Sequence, residues 1–395
     1  MHFSIPTIAA FVGLALAAPA NPGFVHVPLS FPKREESLNN PLKAPGNITV
    51  ELIASAVAYE TNLLIGGQRN SVILDTGSPF LWVWDMNSDF CKGPETLLYC
   101  AFDGSYQPRS SSTGKNTGKH FKIEYGLGSA SGPIYTDTVQ MGSATLTDFP
   151  FGVNDGKFAN NSIPVFGIGP SPQANTSFSA QLVQQGLTKR NAYGLSLGPV
   201  DNSEFSEVTF GAVNTGRFDG KLKTLPIDDD PYHYKLKASG SVNGESFLDN
   251  GDVILDSGTS LTYLNEDAYS KFSAAIAKAG IKFGTDQGLP TFKCADGDKI
   301  AFELDFAGQK IKASGADLGI PLQLLDFTST DNSSCVFGVL PGGKDIRGLN
   351  LFGDTFLRNV YAVYDLDRKQ VSIAQAVRGK PDHYVVIDGA VPDSE

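Results

Sequence analysis

The chain has 395 residues, 41% hydrophobic and 18% charged, which is enough apolar material for two or three cored lobes and excludes a disordered or fibrous polymer. A formal net charge of −11 argues against nucleic acid or an anionic membrane surface as partner, since both would repel it. Abundant Phe, Tyr, Gly and Pro favour short strands joined by turns, so a mostly β fold is expected.

In chain order, residues 5–18, IPTIAAFVGLALAA, are an apolar run that exits through small residues. This is how a secretory signal over residues 1–17 reads, and it is too short for a retained membrane span. No later segment is apolar for long enough to cross a bilayer, so a secreted, extracellular protein is expected. Residues 18–45 contain VHVPLS, the dibasic pair Lys33-Arg34 and a Pro/Gly/Asn linker. They read equally as a removable propeptide and as a flexible terminus. From Ile48 the pattern turns to strand-length runs: ITVELIASAVAYETNLLIG, SVILD, FLWVW, HFKIEYG and PIYTDTVQMG. Helical spacing is confined to 266–279, where Tyr269, Phe272 and Ile276 precede Gly280, and to a shorter stretch at 177–186. Residues 379–395 read as a polar tail.

Four cysteines form two sequence-close pairs, Cys91 with Cys100 and Cys294 with Cys335. Three connectivities are possible, and the local one closes loops without crossing lobes. Zinc is disfavoured, because neither pair has ligand spacing or a His beside it; no metal or cofactor is expected. Sequons at Asn47, Asn160, Asn175 and Asn332 suit a secreted glycoprotein.

The string VILDTGS at 72–78 returns as VILDSGT at 253–259. In each half a Tyr-containing strand and a Gly turn precede the string, and another apolar strand follows it, so the chain reads as an internal duplication with two similar lobes. An Asp at the end of Val-Ile-Leu has little reason to sit beside a core unless neighbours hold its carboxylate. Gly77 and Gly258 permit a tight turn and close approach, and the hydroxyls of Ser78 and Thr259 can hydrogen-bond the carboxylates. If the lobes pack about a two-fold, Asp75 and Asp256 meet. Two carboxylates at that distance share one proton in acid, which makes the pair at once a base and an acid able to split a peptide bond with water.

On these motifs the chain resembles the pepsin-like aspartic proteases, most closely secreted fungal members, from about Ile48 to Ala376. DTGS and DSGTS match the two catalytic turns, while FGIGPS (166–171) and LFGDTFLRNVYAVYD (351–365) match the segments that back them. The resemblance implies a bilobal pepsin-like fold of two pseudo-two-fold-related β lobes with a few short helices, an N-terminal lobe over 46–220 and a C-terminal lobe over 221–378. It places Tyr125, Gly126 and Leu127 of YGLGSASG in a flap over the cleft, with Trp82 orienting the tyrosine. It makes Thr76 and Ser257 braces between the turns, and Ile73 and Val165, with Phe158, part of an uncharged cleft wall. A monomer acting on protein or peptide substrates, with large apolar residues preferred at the cut bond, is what this implies.

Three rival readings stand beside it. The glycines of YGLGSASG half-match a nucleotide fingerprint, but PIYTDTV follows where a helix should begin. GLSLG at 194–198 fits a serine-hydrolase elbow around Ser196, but no helix signal follows, and the histidines offered are His233 and His383. The same fold could also be a catalytically inactive binding or inhibitor protein. Loss of either Asp or of the tyrosine would favour that reading, and all three are present.

Overall fold

The structure, a computed structural model, describes residues 23–29, 58–94, 96–125, 128–156, 163–171, 177–200, 205–228, 230, 233–286, 288–325, 333–342 and 348–395. The signal run, the dibasic pair, the four sequons, Gly126, Leu127 and Phe158 lie outside the described residues.

The repeated VILD string becomes a repeated pattern of strand pairing. Gln68–Asp75 runs parallel to Val165–Gly167, with Asp75 opposite Gly167. Val165–Gly167 is also antiparallel to Leu81–Trp84, which in turn runs parallel to Ala144–Asn154. In the second half Glu245–Leu255 runs parallel to Asn350–Phe352, with Leu255 opposite Phe352. Asn350–Phe352 is antiparallel to Thr262–Leu264, which runs parallel to Val339–Pro341. Each half closes a seven-stranded sheet. Both Val-Ile-Leu runs are buried throughout, which is why they read as continuous apolar runs and not as alternating ones.

A six-stranded sheet joins the halves, in the order Val25–Pro28, Glu207–Phe210, Ala192–Ser196, Val360–Asp365, Gln370–Gln375 and Lys223–Pro226. Tyr193 from one half stacks on Tyr364 from the other, with ring centroids 4.9 Å apart. The two expected helices form as Glu266–Lys278, capped by the Asn265 side chain, and Phe178–Gln184, capped by Ser177. Cys91 pairs with Cys100 and Cys294 with Cys335, with Cα atoms 5.6 and 5.1 Å apart.

The polar C-terminal stretch is folded onto this body. Tyr384–Val386 pairs with Ala212–Asn214, and Ile387 and Val391 are buried against Phe218 and Tyr361. Its anchor is the short YVVI run, which the surrounding charges mask in any composition window. GLSLG holds no elbow: 192–196 is a strand, no helix occurs in 197–200, and Ser196 is buried. The residues after the flap glycines form the strand Ser129–Met141, as a flap hairpin requires and a nucleotide loop does not.

Candidate active site

Asp75 ends its strand and Asp256 directly follows its own at the seam between the halves, 5% and 8% exposed. Each carboxylate is held by its own turn. Asp75 Oδ1 accepts from Gly77 N at 2.7 Å and Ser78 N at 3.2 Å, and Ser78 Oγ donates to Oδ2. Asp256 Oδ1 accepts from Gly258 N at 2.8 Å, and Thr259 Oγ1 donates to Oδ2 at 2.6 Å. The turns interlock: a side-chain carbon on Gly77 would lie 2.6 Å from Asp256 Oδ1, and one on Gly258 would strike Asp75. Only glycine lets each turn approach the opposite carboxylate so closely.

The brace between the turns is reciprocal. Thr76 Oγ1 donates to Leu255 O at 3.0 Å and accepts from Ser257 N at 3.0 Å. Ser257 Oγ donates to Leu74 O at 2.8 Å and accepts from Thr76 N at 3.2 Å. All four bonds are buried, so neither turn can shift without leaving unpaired groups in both halves. From behind, Ile168 N donates to Asp75 O at 2.8 Å and Asp256 N to Phe352 O at 3.0 Å, so the FGIG and LFG segments back the aspartates directly.

Burial, and after it the charge of Asp256, pushes the Asp75 carboxyl well above the usual carboxylate range, although the bonds from Ser78 and Gly77 pull the other way. A carboxyl raised in this way beside a second one is the setting in which two acids titrate as a pair.

The structure brings together the other expected residues that it describes. Trp82 Nε1 donates to Tyr125 Oη at 2.8 Å, and burial, followed by the charge of Asp75, pushes the tyrosine hydroxyl above its ordinary range. Val165 packs in one apolar cluster with Trp82, Phe121 and Tyr125, and Ile73 lies opposite Val165 in the sheet.

Two features escaped the sequence reading. Asp354 is fully buried beside Arg358, and burial holds its carboxyl well above its ordinary range; Arg358 Nε in turn donates to Tyr59 Oη at 3.0 Å. The Asp–Arg pair four residues apart in LFGDTFLR was a signal available for this. The second is Trp84, a buried neighbour of Trp82, which stacks on Phe90 across an irregular turn.

The family described as eukaryotic aspartyl protease matches residues 58–376. The chain is 42% identical over 405 residues to the acid extracellular protease of Yarrowia lipolytica (strain CLIB 122 / E 150), with both chains covered completely. It is 32% identical to secreted aspartic protease 8 of Candida albicans (strain SC5314 / ATCC MYA-2876), over 85% of this chain and 80% of the relative. The fold matches the crystal structure of the aspartic proteinase from Irpex lacteus with a TM-score of 0.70 at 24% identity, over 89% of this chain and 97% of that one. The chain belongs to the eukaryotic aspartyl protease family.

Proposed function

We propose that Asp75 and Asp256 are the catalytic pair of this secreted aspartic endopeptidase, and that they hydrolyse peptide bonds in acid through a water held between them. The ionised carboxylate takes a proton from the water as its oxygen bonds to the carbonyl carbon, while the neutral carboxyl gives its proton to the carbonyl oxygen. Collapse of the resulting diol breaks the C–N bond as the newly protonated carboxyl gives its proton to the leaving amine and the other carboxylate takes the proton of one diol hydroxyl, which restores the singly protonated pair. The single observation that carries the reading is the reciprocal brace of Thr76 and Ser257, which sets two individually satisfied carboxylates face to face. Gly77, Gly258, Ser78 and Thr259 orient those carboxylates. Tyr125 covers the site, the family resemblance assigns Gly126 and Leu127 to substrate binding beside it, and Ile73 and Val165 form an uncharged wall that suits large apolar side chains; each gains roughly 1.5 to 3 kcal/mol on leaving water.

The test is Asp75→Asn and Asp256→Asn, assayed on a denatured protein mixture in acid with mass-spectrometric reading of every cut. Each variant is expected to fold and to lose nearly all activity, because the two groups act as one unit. More than a trace of activity in either, or a parent that works best above neutral pH, would sink the mechanism.

The N-terminal run as a signal, residues 18–45 as a removable segment, the lobe boundaries near residue 220, glycosylation at the four sequons and a monomeric state belong to the same proposal. Sequencing of the secreted N-terminus is expected to begin after Arg34 or between Leu42 and Ile48. A start near Ala18 would refute removal.

A further inference from the structure

Tyr125 is positioned from behind by a chain of rings. Trp82, which donates to its hydroxyl, stands two residues before Trp84 on one strand, so both indoles share a face. They meet edge to face at 5.7 Å. Trp84 lies flat on Phe90, with centroids 4.1 Å apart and planes 7° apart, and Phe90 meets Tyr99 edge-on at 6.0 Å. Phe90 and Tyr99 immediately precede Cys91 and Cys100, the two ends of the first disulfide. With Phe121, Ala130 and Val165 these side chains form an apolar cluster separate from the main core. The flap hairpin therefore rests on the disulfide-closed segment through a short series of ring contacts. Trp84 Nε1 is buried without a hydrogen-bond partner among the described residues, so ring contact and not hydrogen bonding sets this indole.

We propose that Trp84 and Phe90 are positioning residues for catalysis: they fix the indole of Trp82, and through it the Tyr125 hydroxyl beside Asp75, with the Cys91–Cys100 bridge as their anchor. This rests on the active-site reading above. A purely structural role would lower stability and leave turnover and flap response unchanged. The two differ because a flap displaced by a fraction of an ångström loses contacts to the transition state more than contacts to bound substrate.

The chain has two tryptophans, Trp82 and Trp84, so its tryptophan emission reports this array alone. The experiment compares parent, Phe90→Ala and Phe90→Tyr for kcat, KM and the change in tryptophan emission on adding a statine-type peptide inhibitor. Phe90→Ala is expected to lower kcat roughly tenfold to a hundredfold with KM changed far less, and to blunt the emission change. Phe90→Tyr, which keeps the flat ring, should restore both. If Phe90→Ala is not recovered folded, Phe90→Leu replaces it, with a smaller fall in kcat expected. A folded Phe90→Ala or Phe90→Leu with parental kcat and parental emission response overturns the proposal, whatever its melting temperature. An inactive parent would remove the active-site reading and this one together, whereas an active parent with an unaffected variant removes this one alone.

Discussion

Thr76 and Ser257 show how much one hydroxyl can carry when its bonds are buried. Thr76→Val would leave Ser257 N without its partner and Leu255 O with only the long bond from Tyr364 Oη at 3.5 Å, at about 1 to 3 kcal/mol for the orphaned amide, and would let the two turns drift. A lower urea midpoint together with reduced kcat/KM is the expected result; unchanged kcat/KM would mean that the carboxylates are held by their own turns alone. Leu127 belongs to the same scale. The family resemblance assigns Leu127 to the cleft wall; on that assignment an unpaired ammonium beside leucine would be costly, so the parent should disfavour Lys at the cut bond, and Leu127→Asp should admit Lys while weakening cleavage after Phe. A cleavage profile unchanged from the parent would show that Leu127 faces away from substrate. The hydrogen bonds that Ser78 and Thr259 give to Asp75 and Asp256 were legible because each turn is local: carboxylate, glycine and hydroxyl lie within four residues. Trp84 was not legible, because Phe90 supplies its stacking partner across a turn that no periodicity describes.

Among the elements, the N-terminal strand and the C-terminal stretch meet on one buried carboxylate. Glu207 is 3% exposed and is bound by His26 Nε2 at 3.0 Å, Asn214 Nδ2 at 2.7 Å and Tyr384 Oη at 2.9 Å, with Arg217 Nε at 3.6 Å and Asp382 on the far side of Arg217. Phe24 stacks on Tyr384 beside it at 5.1 Å. Burial pushes the Glu207 carboxyl up, but these bonds outweigh it and hold it below its ordinary range. In the unprocessed chain, which still carries Val25–Pro28, Glu207→Gln should therefore loosen both Val25–Pro28 and Tyr384–Val386, seen as faster amide exchange in those strands with the two seven-stranded sheets unaffected. Uniform exchange across the molecule would show that the strands are held by their ladders alone. Reading 379–395 as a polar tail missed this, because three consecutive apolar residues gain an anchoring role only when a sheet edge is there to receive them. The disulfides, by contrast, were legible from spacing. In the chain-entropy model the bridges contribute about 3 and about 4 kcal/mol, and Cys294→Ser with Cys335→Ser should lower the urea midpoint accordingly.

For the whole molecule, the buried carboxyls set how stability varies with pH. Asp75 and Asp354 are both held well above the usual range, chiefly by burial. A carboxyl raised in this way adds stability that is complete below its unfolded pKa and is lost as pH rises through its folded one. Glu207 and Asp137 are lowered; for Asp137 the bonds from Ser111, Thr113 and Tyr106 outweigh burial. Their contribution is present above the unfolded pKa and is lost as pH falls through the folded one. The melting temperature should therefore peak in mild acid and fall toward neutral pH, and Asp354→Asn should flatten the neutral side; a parent that melts highest at neutral pH would contradict the assignment. The sequence by itself determined the duplication, the two carboxylate turns and the strand character, because these depend on neighbours a few residues away and on a repeated apolar pattern. Only the tertiary structure decided that Asp75 and Asp256 face each other across 181 residues, that Thr76 and Ser257 bind in both directions, and that Glu207 gathers both ends of the chain. Those facts depend on buried hydrogen bonds between distant segments, and no local pattern encodes which segments will meet.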